Sequence, residues 1–126
     1  MNRLVKRKAY NKGVLSFCSD PITKGGLKWM ADDIIIFIKS LNPLWVGDYE
    51  GGCVLDVGGR KITLSLGGIR VDGVGVSLGW VGWDDIISVS FEYFHSLLFG
   101  STEIIGFTIR FLEKRSGDYS EICLEV

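Results

Sequence analysis

The clearest hydrophobic pattern lies near the C-terminal end of the chain. Phe107, Ile109 and Phe111 alternate with Thr108 and Arg110, and Ile122, Leu124 and Val126 return opposite Glu121 and Glu125. Successive side chains on a strand point to opposite faces, so each run predicts a strand with one apolar and one wet face. Ser116-Gly117-Asp118 between them predicts a hairpin turn. The same period of two marks residues 87 to 94, where Ile87, Val89, Phe91 and Tyr93 interleave with Ser88, Ser90 and Glu92. A loop is expected around His95 to Thr102.

Earlier in the chain the period changes. Leu27, Met30, Ile34, Ile38 and Leu41 recur at spacings of three and four, which predicts a helix over residues 27 to 41, widened by Ala31, Ile35 and Phe37. Asp32 and Asp33 suit its first turns, Lys39 suits its last, and Asn42-Pro43 stops it. A strand at Ile34 to Ile38 competes, since β-branched residues favour one, but the helical spacing persists over the longer stretch.

Between these segments, residues 47 to 82 hold eleven glycines interleaved with short runs of Val, Ile and Leu. Gly58-Gly59, Gly67-Gly68 and Asp72-Gly73 predict tight reversals between strands at 53 to 57, 61 to 66, 69 to 72 and 74 to 78. The expected fold class is α+β. It is a single domain over 1–126, with a basic arm at 1–12, one helix near the N-terminus, and a mainly antiparallel meander of six to seven short strands over 53–126.

With 126 residues and 47% apolar composition, the chain can build one core without disulfides or metal. The longest uninterrupted apolar run, Ile34 to Ile38, is five residues, against the roughly 20 that a membrane-spanning helix needs. Cys18, Cys53 and Cys123 are odd in number and far apart, and the start of the chain lacks the apolar core of a signal peptide. A reduced, cytoplasmic protein is expected.

Charge adds one feature. Residues 1 to 12 carry Arg3, Lys6, Arg7, Lys8 and Lys12 with no acid, whereas the remainder holds nine basic and fifteen acidic residues. A basic arm on an acidic body implies a pinned segment, expected as an edge strand through Leu4 to Tyr10, or two surfaces with different partners.

Catalytic constellations are missing. Gly73 to Gly79 resembles a phosphate loop, but its last glycine is one residue late and strand formers follow where a helix should begin. Neighbouring carboxylates such as Asp32-Asp33 or Asp84-Asp85 diverge on either kind of backbone and cannot face one another across a cleft. His95, the only histidine, has no nucleophile elbow or acid partner in the sequence, so neither triad chemistry nor a metal site is expected. The acidic body argues against nucleic acid. No enzyme activity, cofactor or metal is expected, and membrane contact only through the basic arm.

The aromatic residues carry the remaining signal. Trp80 and Trp83 flank Val81-Gly82, with Asp84 and Asp85 directly after. Tryptophan beside charge is typical of interface hot spots. The expected partner-binding set is Asp48, Glu50, Asp56, Asp84, Asp85 and Glu92 for charge, with Trp80 and Trp83 as apolar contacts.

Lys61-Ile62-Thr63-Leu64, Gly68-Ile69-Arg70-Val71 and Trp83-Asp84-Asp85-Ile86-Ile87-Ser88-Val89, in that order, resemble bacterial pleckstrin-homology-like domains over residues 53 to 126. The resemblance implies a module for lipid head groups or a peptide. In general type the chain also resembles bacterial toxin-immunity proteins and phage-encoded inhibitors of bacterial defence. That likeness implies a protein partner, such as a basic toxin domain whose active site is occluded. An acidic face would speed such association. The immunity reading leads, and the lipid or peptide module is the alternative.

Overall fold

Turn chemistry and alternation decide most of the element boundaries. The computed structural model describes residues 10–19, 25–41, 43, 46–73 and 75–126. They form β1 (Tyr10–Cys18), a 3₁₀ turn (Lys28–Met30) leading into α1 (Ala31–Ser40), β2 (Val46–Tyr49), β3 (Gly52–Val57), β4 (Arg60–Ser65), β5 (Gly68–Gly73), β6 (Val76–Val81), β7 (Ile86–Ser96), β8 (Thr102–Leu112) and β9 (Tyr119–Glu125). The α+β class and the helix near the N-terminus stand as expected. The strand count does not: nine strands occur among the described residues, in two antiparallel sheets.

The first sheet is the glycine-turned meander β2-β3-β4-β5-β6, and the second has the order β1-β7-β8-β9. Two strands were not foreseen. β2 is only four residues long, and β1 pairs with β7, far away in the chain, from Tyr10↔Ser96 to Cys18↔Ser88. Of the edge strand expected at Leu4 to Tyr10, only Tyr10 falls among the described residues, where it opens β1. Arg3, Lys6, Arg7 and Lys8 lie outside them. The loop expected at 95 to 102 shrinks to a short turn, because β7 and β8 extend to the His95↔Thr102 pair.

One apolar cluster joins both sheets and the helix. Leu55, Ile62, Leu64, Ile69 and Val71 enter from the meander, Val89, Phe91, Phe107 and Ile109 from the second sheet, and Ile34, Ile35 and Ile38 from α1. Burying each such side chain stabilises the fold by about 1.5–3 kcal/mol. The rings of Phe91 and Phe107, on neighbouring strands, stand 5.4 Å apart in a tilted pair, worth roughly 0.5–1.5 kcal/mol more. Phe37 departs from the expected stripe. It is half-exposed and meets Phe17 of β1 edge-on at 6.3 Å, tying the helix to the sheet edge. No helix among the described residues is long and apolar enough to cross a membrane.

The helix is held to the sheets through its approach. The Leu27 N–H donates to the carbonyls of Trp83 (2.9 Å) and Ile86 (3.1 Å), which brings Gly26 against the turn between β6 and β7. A Cβ at Gly26 would lie 2.6 Å from the Asp84 carbonyl oxygen and 2.7 Å from those of Trp83 and Ile86, and its φ is +53°. Glycine alone fits that space and that backbone. Gly26→Ala is expected to lower stability by about 3 kcal/mol, and Gly59→Ala, at an open turn, by about 1 kcal/mol. Urea unfolding of the two variants measures the difference, and equal losses would contradict this packing.

Candidate functional site

The site is built where β6 leaves the meander. Between the pairs Val71↔Leu78 and Ile69↔Val81 the register shifts, so Gly79 and Trp80 together oppose Arg70. Such a bulge bends the strand and re-aims a side chain. Trp80 emerges 46% exposed, and its ring lies 5.7 Å from that of Tyr49.

Tyr49 belongs to β2, at the opposite edge of the same five-stranded sheet. Its row runs through Gly52 and on to the Ser65↔Gly68 pair. A Cβ at Gly52 would collide with the Leu64 carbonyl, and one at Gly68 with the Val81 carbonyl. The two glycines therefore admit close backbone approach, and Ser65 between them is the small side chain of this row.

A hollow of about 370 Å³ lies beside the rings, lined by Tyr49, Glu50, Ser65, Leu66, Gly67 and Trp80. Leu66 is 59% exposed at its rim. Glu50 and Gly51 form the two-residue turn of the β2–β3 hairpin, with φ of +22° and +81°. Positive φ at both positions matches the right-handed twist of the flanking strands, and it fixes Glu50 at the margin of the hollow.

On its other side Trp80 borders a groove of about 630 Å³, with Leu78, Val81, Phe111 and Leu112 as apolar lining and Asp85, Glu113, Lys114 and Arg115 as charged lining. The Lys114 ammonium lies 3.3 Å from the Asp85 carboxylate. That pair is largely exposed on the lysine side and adds little to stability.

The predicted set therefore divides. Glu50, Trp80, Asp84 and Asp85 gather at one end of the molecule. Asp84 is exposed, with its carboxylate against Gly82, whereas Asp85 is partly buried and ion-paired. Trp83 leaves the contact set: it is 2% exposed, and its indole N–H donates to the Ser65 carbonyl at 2.6 Å. A side chain committed in this way to the core cannot also serve as a surface contact.

The remaining members lie elsewhere. Asp56 stands toward the far end of β3, where its carboxylate accepts the Gly59 N–H at 2.9 Å and closes the β3–β4 turn. Glu92 is on the second sheet, packed over Gly106. Asp48 pairs in register with Cys53, and its side chain is outside what is described. Tyr49 and Leu66 complete the site without having been foreseen. Glu50-Gly51-Gly52 was the available signal, since a hairpin turn there brings the residue before it to a strand end.

His95 is remote from this end. Its Nδ1 shares a hydrogen bond of 2.8 Å with the hydroxyl of buried Thr102. Among the described residues, no three His, Cys, Asp or Glu side chains group as a metal site. What the Trp80 end offers is aromatic and aliphatic area rimmed by charges of both signs, with Glu50 on one side and Asp85, Glu113, Lys114 and Arg115 on the other. No protein-family model, curated protein or solved structure matches the chain.

The two tryptophans should behave differently. Trp83→Phe removes the donor to a part-buried carbonyl and is expected to cost about 1–3 kcal/mol, whereas Trp80→Phe should change stability by less than about 0.5 kcal/mol. Chemical denaturation distinguishes them, and a larger loss at Trp80 would reverse the assignment of core and surface.

Proposed function

We propose that the protein is a non-catalytic binding module that blocks a protein partner through its Trp80 end, in the manner of a bacterial toxin-immunity protein. The observation that carries this reading is the half-exposed Tyr49–Trp80 ring pair, with Leu66 beside it and Glu50 at the margin of the same hollow. Tryptophan and tyrosine supply large contact area at small entropic cost, and hot spots concentrate on such residues.

The acidic side of the rim, at Glu50, favours a basic counter-surface and speeds its approach, while Lys114 already pairs with Asp85 on the other side of Trp80. A cleft that binds nucleic-acid phosphates has that charge, and a protein seated over it excludes the substrate. Inhibition by occlusion asks nothing of the inhibitor's own chemistry. It asks for a rigid surface, and Tyr49 and Trp80 stand on paired strands rather than in long loops. Exposed thiols at Cys18 and Cys123 suit a reducing compartment such as the bacterial cytoplasm.

The test begins with a partner captured from the native host by the wild-type chain and identified. Trp80→Ala is expected to weaken that complex by about 2 kcal/mol, roughly 30-fold, mainly through faster dissociation. Asp84→Lys should slow association and flatten its dependence on salt. Surface plasmon resonance at two ionic strengths reads both effects. Unchanged affinity in Trp80→Ala together with unchanged on-rates in Asp84→Lys would remove this surface from the interaction.

A further inference from the structure

Four strands stand at sheet edges among the described residues, β1, β2, β6 and β9, and β6 differs from the others. β1 carries Lys12, β2 carries Asp48, and β9 carries Glu121 and Glu125, whereas Val76 to Val81 of β6 include no charged residue. Charge on an edge strand discourages other chains from pairing with it. At β6 that guard is missing, and alternate residues turn their N–H and C=O away from β5.

The groove beside Trp80 runs along this edge. One wall takes four residues in a row, Leu78 to Val81, and the facing wall takes five, Phe111 to Arg115. Successive side chains of a strand point to opposite faces, so a hollow that meets each residue in turn follows the edge of β6.

Gly79 is the residue of this wall that the fold does not require. A Cβ there would meet nothing within 4 Å, and its φ lies outside the left-handed region. Glycine weakens a strand interior, and one that serves neither a turn nor a close internal contact marks a place where another backbone approaches.

The charges of the groove are matched with one exception. Asp85 pairs with Lys114, and the Glu113 carboxylate accepts the hydroxyls of Ser116 and Ser120. Arg115 is exposed and has no ion pair among the described residues. It is left to meet an acid that comes from outside.

We infer that the groove takes an extended segment of the partner, which adds to the edge of β6 as a further strand and crosses it at Gly79. Main-chain hydrogen bonds to β6 hold the segment, and alternate side chains rest against Leu78, Phe111 and Leu112. A carboxylate of the segment pairs with Arg115. The facing wall admits one strand and no sheet behind it. A second copy pairing β6 with β6 would bring its own β5 to about 10 Å from this edge, into residues 111 to 115. The inference rests on the Trp80 end being the partner surface, and states how the partner is held there.

The experiment selects short random peptides displayed on phage against the full chain, then synthesises the enriched ones. They should alternate apolar residues and carry an acidic one, and amide exchange at β6 should slow when they bind. N-methylation of a peptide amide that faces β6 should weaken binding by about tenfold, and of the next amide hardly at all. Gly79→Lys, where a side chain has open space, should lose more than about tenfold while the unfolding midpoint stays at the wild-type value. Arg115→Ala should lose about threefold. Failure to enrich any peptide would overturn the inference, as would binding that ignores both N-methylation and Gly79→Lys. So would self-association through β6, abolished by Gly79→Lys, with no peptide bound. A partner complex that depends on Trp80 while no peptide binds would strike the groove alone. Peptides held at β6 by a chain whose partner ignores Trp80 would strike the blocking function and leave the groove standing.

Discussion

Inside the core, the Trp83 indole N–H donates to the Ser65 carbonyl, and the rest of the arrangement depends on the turn that this bond fixes. The turn joins the two sheets in sequence, and three contacts lock it in space. Trp83 ties it to the end of β4 in the meander. The Leu27 N–H ties it to the approach of α1 by donating to the carbonyls of Trp83 and Ile86. The Leu112 N–H, at the end of β8, ties it to the second sheet by donating to the Asp85 carbonyl at 2.9 Å. A side-chain donor buried without its acceptor costs about 1–3 kcal/mol, so the turn and the β4 end cannot separate cheaply. With that junction closed, helix, meander and second sheet share one core.

The same junction explains why two tryptophans three residues apart have opposite fates. Trp83 lies in the turn, where the chain passes between sheets and must fill the space they enclose. Trp80 lies just before it, in a bulge that puts two residues opposite Arg70 and turns the larger one outward. The ring then rests against Tyr49 across a row of small residues, Gly52, Ser65 and Gly68. Surface exposure at Trp80 is thus a consequence of backbone geometry on both sides of it, and the aromatic pair inherits the rigidity of the sheet.

Local signals made the turns legible. Gly58-Gly59, Gly67-Gly68 and Asp72-Gly73 mark reversals within one or two residues of those observed, and the alternation of Phe107 to Phe111 and Ile87 to Tyr93 marks strands that form. The helical spacing from Leu27 to Leu41 likewise survives as a 3₁₀ turn and α1. What was not legible is long-range. β1 is diluted by Lys12, Gly13 and Ser16, and its partner β7 lies 74 residues away at the Ser16–Ser90 contact. Local periodicity carries no record of that pairing, because it depends on the inner face of Leu15 and Phe17 meeting a core assembled elsewhere. The division into two sheets was hidden for the same reason. At the site, apolar content could not distinguish Trp83 from Trp80, and the exposed Leu97–Phe99 tip read only as a loop.

The Trp80 end and the exposed Leu97–Phe99 tip stand at opposite ends of one strand. β7 starts directly after the Trp83–Asp85 turn and ends at the Leu97–Phe99 tip, and its eleven residues span about 35 Å. Charge does not divide along that axis. Asp85, Glu113, Lys114 and Arg115 share the groove beside Trp80, with Lys114 paired to Asp85, and Glu92 and Glu125 share a hollow with Lys12 toward the other end. What sets the Trp80 end apart is therefore its aromatic area, Tyr49 against Trp80 on paired strands, rather than a field of one sign.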